Sequence, residues 1–110
     1  MEHTILSIKT DKDILSELSI GNIVHTIVSG NSMNPLLKEG EVYSISPIGD
    51  NKVKLNDIVF VQIKNKFLTH MIFNIITSSD QPSKYVISNI HGKIDGIVYI
   101  ESIYGIINNR

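Results

Sequence analysis

Apolar residues in this chain recur either at alternate positions or in short runs bounded by Gly, Pro, Asn and Asp, and that pattern divides it into many short elements. Near the start, Ile14, Leu15 and Leu18 share one face at helical spacing. Thr10 or Asp11 ahead of them supplies an oxygen for the free amides of a helix start, and Gly21 is placed to end the helix. Residues 23–28 read as a strand, and Val42, Tyr43, Ser44 and Ile45 as another, closed by Pro47 and a turn at Gly49-Asp50-Asn51. Residues 58–63 and 67–76 form the strongest pair, joined by Lys64-Asn65-Lys66 as a hairpin loop. In the second of these, Leu68, His70 and Ile72 point to one face and Thr69, Met71 and Phe73 to the other. Residues 78–83, with Asp80 and Pro82, read as a polar loop; 85–88 and 97–107 complete the strands, the last broken at Gly105. The expected fold is mainly β, a coiled antiparallel sheet with one short N-terminal helix, and residues 1–110 form one domain without repeats or low-complexity tracts.

Composition sharpens that expectation. Alanine is absent while isoleucine is abundant, which favours strands over helices. Hydrophobic residues make up 42% of the 110, enough for a core. The net charge is −1, the lysines are scattered and the only arginine is Arg110, so no basic face for nucleic acid is expected. Without cysteine there is neither a disulfide nor a thiolate metal site, and the four histidines form no His-x-x-x-His pair; no metal and no cofactor is expected. No apolar run approaches the roughly 20 residues that span a bilayer. Residues 1–10 lack the basic-then-apolar layout of a secretory signal, so the expected compartment is the cytoplasm.

The candidate chemistry centres on Ser29-Gly30-Asn31-Ser32-Met33-Asn34-Pro35, followed by Leu36, Leu37 and the turn Lys38-Glu39-Gly40-Glu41. It sets a serine between a flexible glycine and a proline-limited turn. A serine hydroxyl attacks a carbonyl only when a neighbouring base takes its proton, and a neutral imidazole suits that task. The backbone N–H of an open turn also supplies a donor for the oxyanion. Alone, Ser32 is an ordinary turn former and His70 an ordinary half-buried strand residue. Lys64 and Lys66 flank the hairpin, where a lysine stays solvated and protonated, which leaves His70 as the better base.

Taken jointly, the Gly30–Pro35 motif, the Glu39-Gly40-Glu41 turn, Asp57-Ile58-Val59 and Thr69-His70-Met71-Ile72 occur in the order seen in signal peptidase I and LexA-like serine peptidases. The chain resembles that superfamily from about Ile14 to its C-terminus. A histidine in place of lysine is similar to the archaeal and endoplasmic-reticulum signal peptidase branch. The resemblance implies a coiled β sheet of the same type, with Ser32 as nucleophile and His70 as general base. Gly30, Asn31 and Met33 would lie at the substrate, Met33 either lining a pocket or packing beneath the loop, and Pro35 would hold the turn. Asp57, in the family's Gly-Asp pair with Asn56 replacing the glycine, is read as structural. The third polar site falls in the stretch from Ser88 to Gly96, where Asp95 is the candidate to orient His70 and Asn89 the alternative.

Beyond Asn56, three further departures from the family pattern stand out. Met71 stands where arginine commonly follows the base, Gly30 where some members carry a hydroxyl, and Ser88-Asn89 where the C-terminal loop opens with Gly-Asp. The implied activity is hydrolysis of a peptide bond in an extended peptide or precursor protein, through a Ser-His acyl-enzyme. The alternative is a peptide- or protein-binding module on the same fold that does not cut.

Overall fold

The structure, a computed structural model, describes residues 10–28, 33, 37–49 and 52–108. It is mainly β, with one short helix and a curled antiparallel sheet of seven strands resembling half a barrel. Helix α1 is Asp11–Ser19. Thr10 caps it reciprocally with Asp13: the Asp13 N–H donates to Thr10 Oγ1 at 3.1 Å and the Thr10 N–H to Asp13 Oδ2 at 3.4 Å. Beyond its end, Gly21 takes a left-handed φ of +90°. Ile14 and Leu18 are buried against the sheet, as their spacing predicts.

The strands are β1 Val24–Ile27, β2 Val42–Pro47, β3 Ile58–Ile63, β4 Lys66–Ser78, β5 Gln81–Ser88, β6 Ile94–Val98 and β7 Ile103–Asn108, in spatial order β1-β2-β7-β3-β4-β5-β6. All neighbours run antiparallel. One face packs with α1 through Val24, Met33, Leu37, Ile45, Phe60 and Ile107; the other gathers Val59, Val61, Ile72, Ile87 and Ile103. Both faces of β3 are therefore buried, which explains its uninterrupted apolar run rather than strict alternation. The curl brings β6 round towards β3, so that a Cβ built at Gly96 would lie 3.1 Å from Ile63 Cγ2.

Three sequence expectations shift. The polar loop at 78–83 is shorter: Ser79 and Asp80 make the turn, steadied by Ser78 Oγ donating to Asp80 Oδ1 at 3.0 Å, and β5 already begins at Gln81. Pro82 is tolerated there because the β4–β5 register slips between Ile76 and Ser78, and the β6 ladder reaches only to Tyr85. The run 97–107 is two strands separated by a 3₁₀ turn, Ile100–Ser102, and the break is not at Gly105. Gly105 lies inside β7, where a Cβ would come within 2.4 Å of Ile45 Cγ2 and 3.0 Å of the Ser46 carbonyl. Its role is close packing rather than interruption. Finally, β2 continues through Ser46 to Pro47, which pairs with Gly105 at the strand end.

Candidate active site

His70 lies on β4 opposite Val59 of β3, between Leu68 and Ile72, and is 8% exposed. Such burial removes most of its water, so its ring must find partners in the protein. Asp95 provides one: His70 Nδ1 and Asp95 Oδ2 are 2.5 Å apart, with Asp95 also largely sheltered. The two strands that carry these residues are not neighbours. β5 lies between them, and the bond spans it.

A β-bulge is what lets Asp95 reach. Ile87 faces Gly96 and Ser88 faces Ile94, so Asp95 is the extra residue on β6 with no ladder partner. A bulged residue escapes the strict alternation of a strand and re-aims its side chain. A second slip, between Ile72 and Asn74 on β4, leaves Phe73 as the extra residue and bends that strand just beyond His70. The resulting arrangement suits acid–base work. With its Nδ1–H donating to a carboxylate, a neutral imidazole is fixed in one tautomer and carries its lone pair on Nε2.

The other candidate for orienting His70, Asn89, is engaged elsewhere. Its Oδ1 accepts from the His91 N–H at 2.9 Å and the Lys93 N–H at 3.0 Å, closing the β5–β6 turn. Ser88 is fully buried, and its hydroxyl donates to the Asn89 carbonyl at 2.9 Å. Met33 is 3% exposed and packs in the α1-side core, while its carbonyl accepts from the Leu37 N–H at 2.9 Å. Its side chain is a core residue. Gly30, Asn31, Ser32 and Pro35 lie outside the described residues.

Asp57 anchors the approach to β3. Its Oδ2 accepts from the Lys54 N–H at 2.9 Å, and its backbone carbonyl accepts from the Ile72 N–H at 2.9 Å. Asn56 beside it has φ +72°, a left-handed conformation that Gly or Asn adopts at little cost. Of the remaining histidines, His25 is exposed on β1, His91 is exposed in the β5–β6 turn, and His3 lies outside the described residues. Lys64 and Lys66 are exposed at the hairpin. Among the described residues no cluster of His, Asp or Glu could hold a metal ion, and no helix is long and apolar enough to cross a membrane.

The feature that sequence reasoning passed over is the Asp95 bulge. Its only trace is that Ile94 and Ile97, both exposed, are three apart rather than two, so alternation breaks between them. Neither models of known protein families nor curated proteins give any match to this sequence.

Proposed function

We propose that the chain is a serine endopeptidase of the signal peptidase/LexA-like type, acting in the cytoplasm on an extended peptide or precursor protein. The observation that carries this reading is the His70–Asp95 hydrogen bond, a buried imidazole held by a carboxylate delivered from a bulge two strands away. A merely structural histidine is satisfied by any nearby acceptor; here the sheet departs from regular pairing where the carboxylate has to reach it.

The chemistry follows from three roles. Ser32 Oγ attacks the scissile carbonyl carbon while His70 Nε2 takes its proton; Asp95 holds the ring and stabilises the imidazolium formed. The backbone N–H groups of the Ser32 turn are the donors for the oxyanion. His70 then returns the proton to the departing amine as the C–N bond breaks. Water, deprotonated by the same nitrogen, adds to the acyl-enzyme ester, and its breakdown restores Ser32. Support for an extended substrate comes from β1, which among the described residues is an edge strand and which precedes Ser32 in the sequence by a few residues. A sheet edge accepts a peptide as an added strand.

Reaction with a fluorophosphonate probe tests the reading. Ser32 should carry the label by peptide mass mapping, Ser32→Ala should abolish it, and His70→Ala should slow it by about a thousandfold or more. Absence of label on Ser32, together with intact peptides after incubation with a broad library, would reject the peptidase; retention of a library peptide without cleavage would point to the binding module instead.

A further inference from the structure

Next to the His70–Asp95 pair, the β5–β6 turn is built around a single residue, and we infer that Asn89 is the positioning residue that sets Asp95 against His70. Its catalytic consequence rests on the peptidase reading above, whereas its effect on the His70–Asp95 bond does not. Asn89 commits its backbone and its side-chain oxygen to the turn. Its N–H donates to the Lys93 carbonyl at 3.1 Å, its own carbonyl accepts from the Gly92 N–H at 3.2 Å and from Ser88 Oγ at 2.9 Å, and its Oδ1 accepts from the N–H groups of His91 and Lys93. Gly92, at φ +87°, allows the chain to fold back on that oxygen.

The position of this clamp gives it leverage. Both backbone groups of Lys93 are tied to Asn89, and Lys93 lies two residues before Asp95. As the bulged residue, Asp95 has no ladder partner of its own, so its direction is fixed by what flanks it. On one side Gly96 is paired to Ile87; on the other, Ile94 is paired to Ser88 and preceded by the clamped Lys93. Ile94 is 47% exposed and contributes little packing to hold the strand's entry. Remove Oδ1, and two N–H groups lose their acceptor at the entry to the bulge. The ladders on either side survive; the aim of Asp95 does not.

The test uses the full chain with ¹⁵N-labelled histidine. In the wild type, NMR should show His70 as the Nδ1–H tautomer with a low-field, slowly exchanging Nδ1 proton. Asn89→Ala should broaden or remove that signal in a protein that remains folded. Where Ser32 reacts with a fluorophosphonate, the same variant should label roughly ten- to a hundredfold more slowly, the penalty of a small misplacement. Asn89→Asp keeps an acceptor oxygen and should restore both. Gly92→Ala strains the same turn without removing a hydrogen bond, and serves as the second probe should Asn89→Ala not fold; it too should weaken the signal. An unchanged His70 signal in whichever of Asn89→Ala and Gly92→Ala folds, whatever the loss of melting temperature, overturns the inference. A wild type that shows the Nδ1–H signal yet never labels Ser32 rejects the peptidase and leaves the positioning role standing.

Discussion

Asp95 and Tyr43 show how differently two sheltered polar side chains act. Asp95 meets an imidazole, and its charge orients that ring. Asp95→Asn keeps the shape but replaces the oxygen acceptor with an amide that presents either N–H or C=O to Nδ1, so the ring loses its single tautomer. The expected outcome is a folded protein whose Ser32 labelling rate falls by roughly a hundredfold or more, with the far-UV circular dichroism unchanged. Tyr43 is also buried, and burial pushes its phenol pKa up; the Thr69 side-chain hydrogen bond opposes this and the Asp11 charge adds to it. Because the folded value exceeds the unfolded one, the unfolded chain gives up its proton first as pH rises. The stability associated with the neutral phenol is thus intact below about pH 10 and is lost as pH climbs through the raised folded value. Tyr43→Phe should therefore lose less stability than the wild type between about pH 8 and pH 11, measured by urea unfolding at each pH. An equal loss in both proteins would show that other groups govern the alkaline limb. At this scale the sequence was legible for His70 and for Asp95 as a candidate, because residue type and order carry chemical meaning. It preferred Asp95 to Asn89 but did not separate an aspartate that meets His70 from one that merely precedes a glycine in a turn; hydrogen-bond accounting does, with Asp95 on the imidazole and Asn89 in the turn.

The strand pairing β3–β4 follows directly from hydrophobic pattern, and its observed register, Val59 opposite His70 and Val61 opposite Leu68, keeps the expected alternation up to Ile72, where the bulge at Phe73 breaks it. The C-terminal run resisted the same reading. Ile97 to Ile107 is dominated by isoleucine, valine and tyrosine, and the polar pair Glu101-Ser102, which falls in the 3₁₀ turn at Ile100–Ser102, is its cue to the break, whereas Gly105 looks like punctuation and is packing. A glycine reads the same whether a backbone needs a positive φ or a neighbour needs the space. Gly105→Ala distinguishes these roles. A methyl group there meets Ile45 Cγ2 at 2.4 Å, the Ser46 carbonyl at 3.0 Å and Leu18 Cδ1 at 3.1 Å, and a backbone oxygen cannot step aside as a side-chain tip does. The variant should be less stable by about 1–3 kcal/mol in chemical denaturation, despite the better strand propensity of alanine. A gain in stability would mean that β2 and β7 are less tightly apposed than the structure indicates.

Across the whole molecule, the curl of the sheet sets the distance between His70 and Asp95. A flat sheet would hold β4 and β6 about two strand spacings apart, roughly 10 Å, too far for a direct bond between an imidazole and a carboxylate that both project at right angles to the sheet. Coiling rotates the outer strands towards the face lined by Val59, Ile72 and Ile87, and Gly96 marks how far the closure goes, since β6 rests almost against Ile63 of β3. Gly96→Val should wedge that seam open. Extra methyl groups pressed on Ile63 should lower stability by about 1–3 kcal/mol and weaken the His70 Nδ1–H signal. Ile63→Ala in the same chain vacates the volume the valine needs. The double variant should recover the His70 signal and part of the stability lost in Gly96→Val, giving a coupling energy of about 1 kcal/mol or more between two residues separated by 33 positions in the sequence. Strict additivity of the two substitutions would place the origin of the His70–Asp95 approach in the local bulge alone. Coupling would place it in the closure of the sheet, with the bulge aiming a carboxylate that curvature has already brought within range.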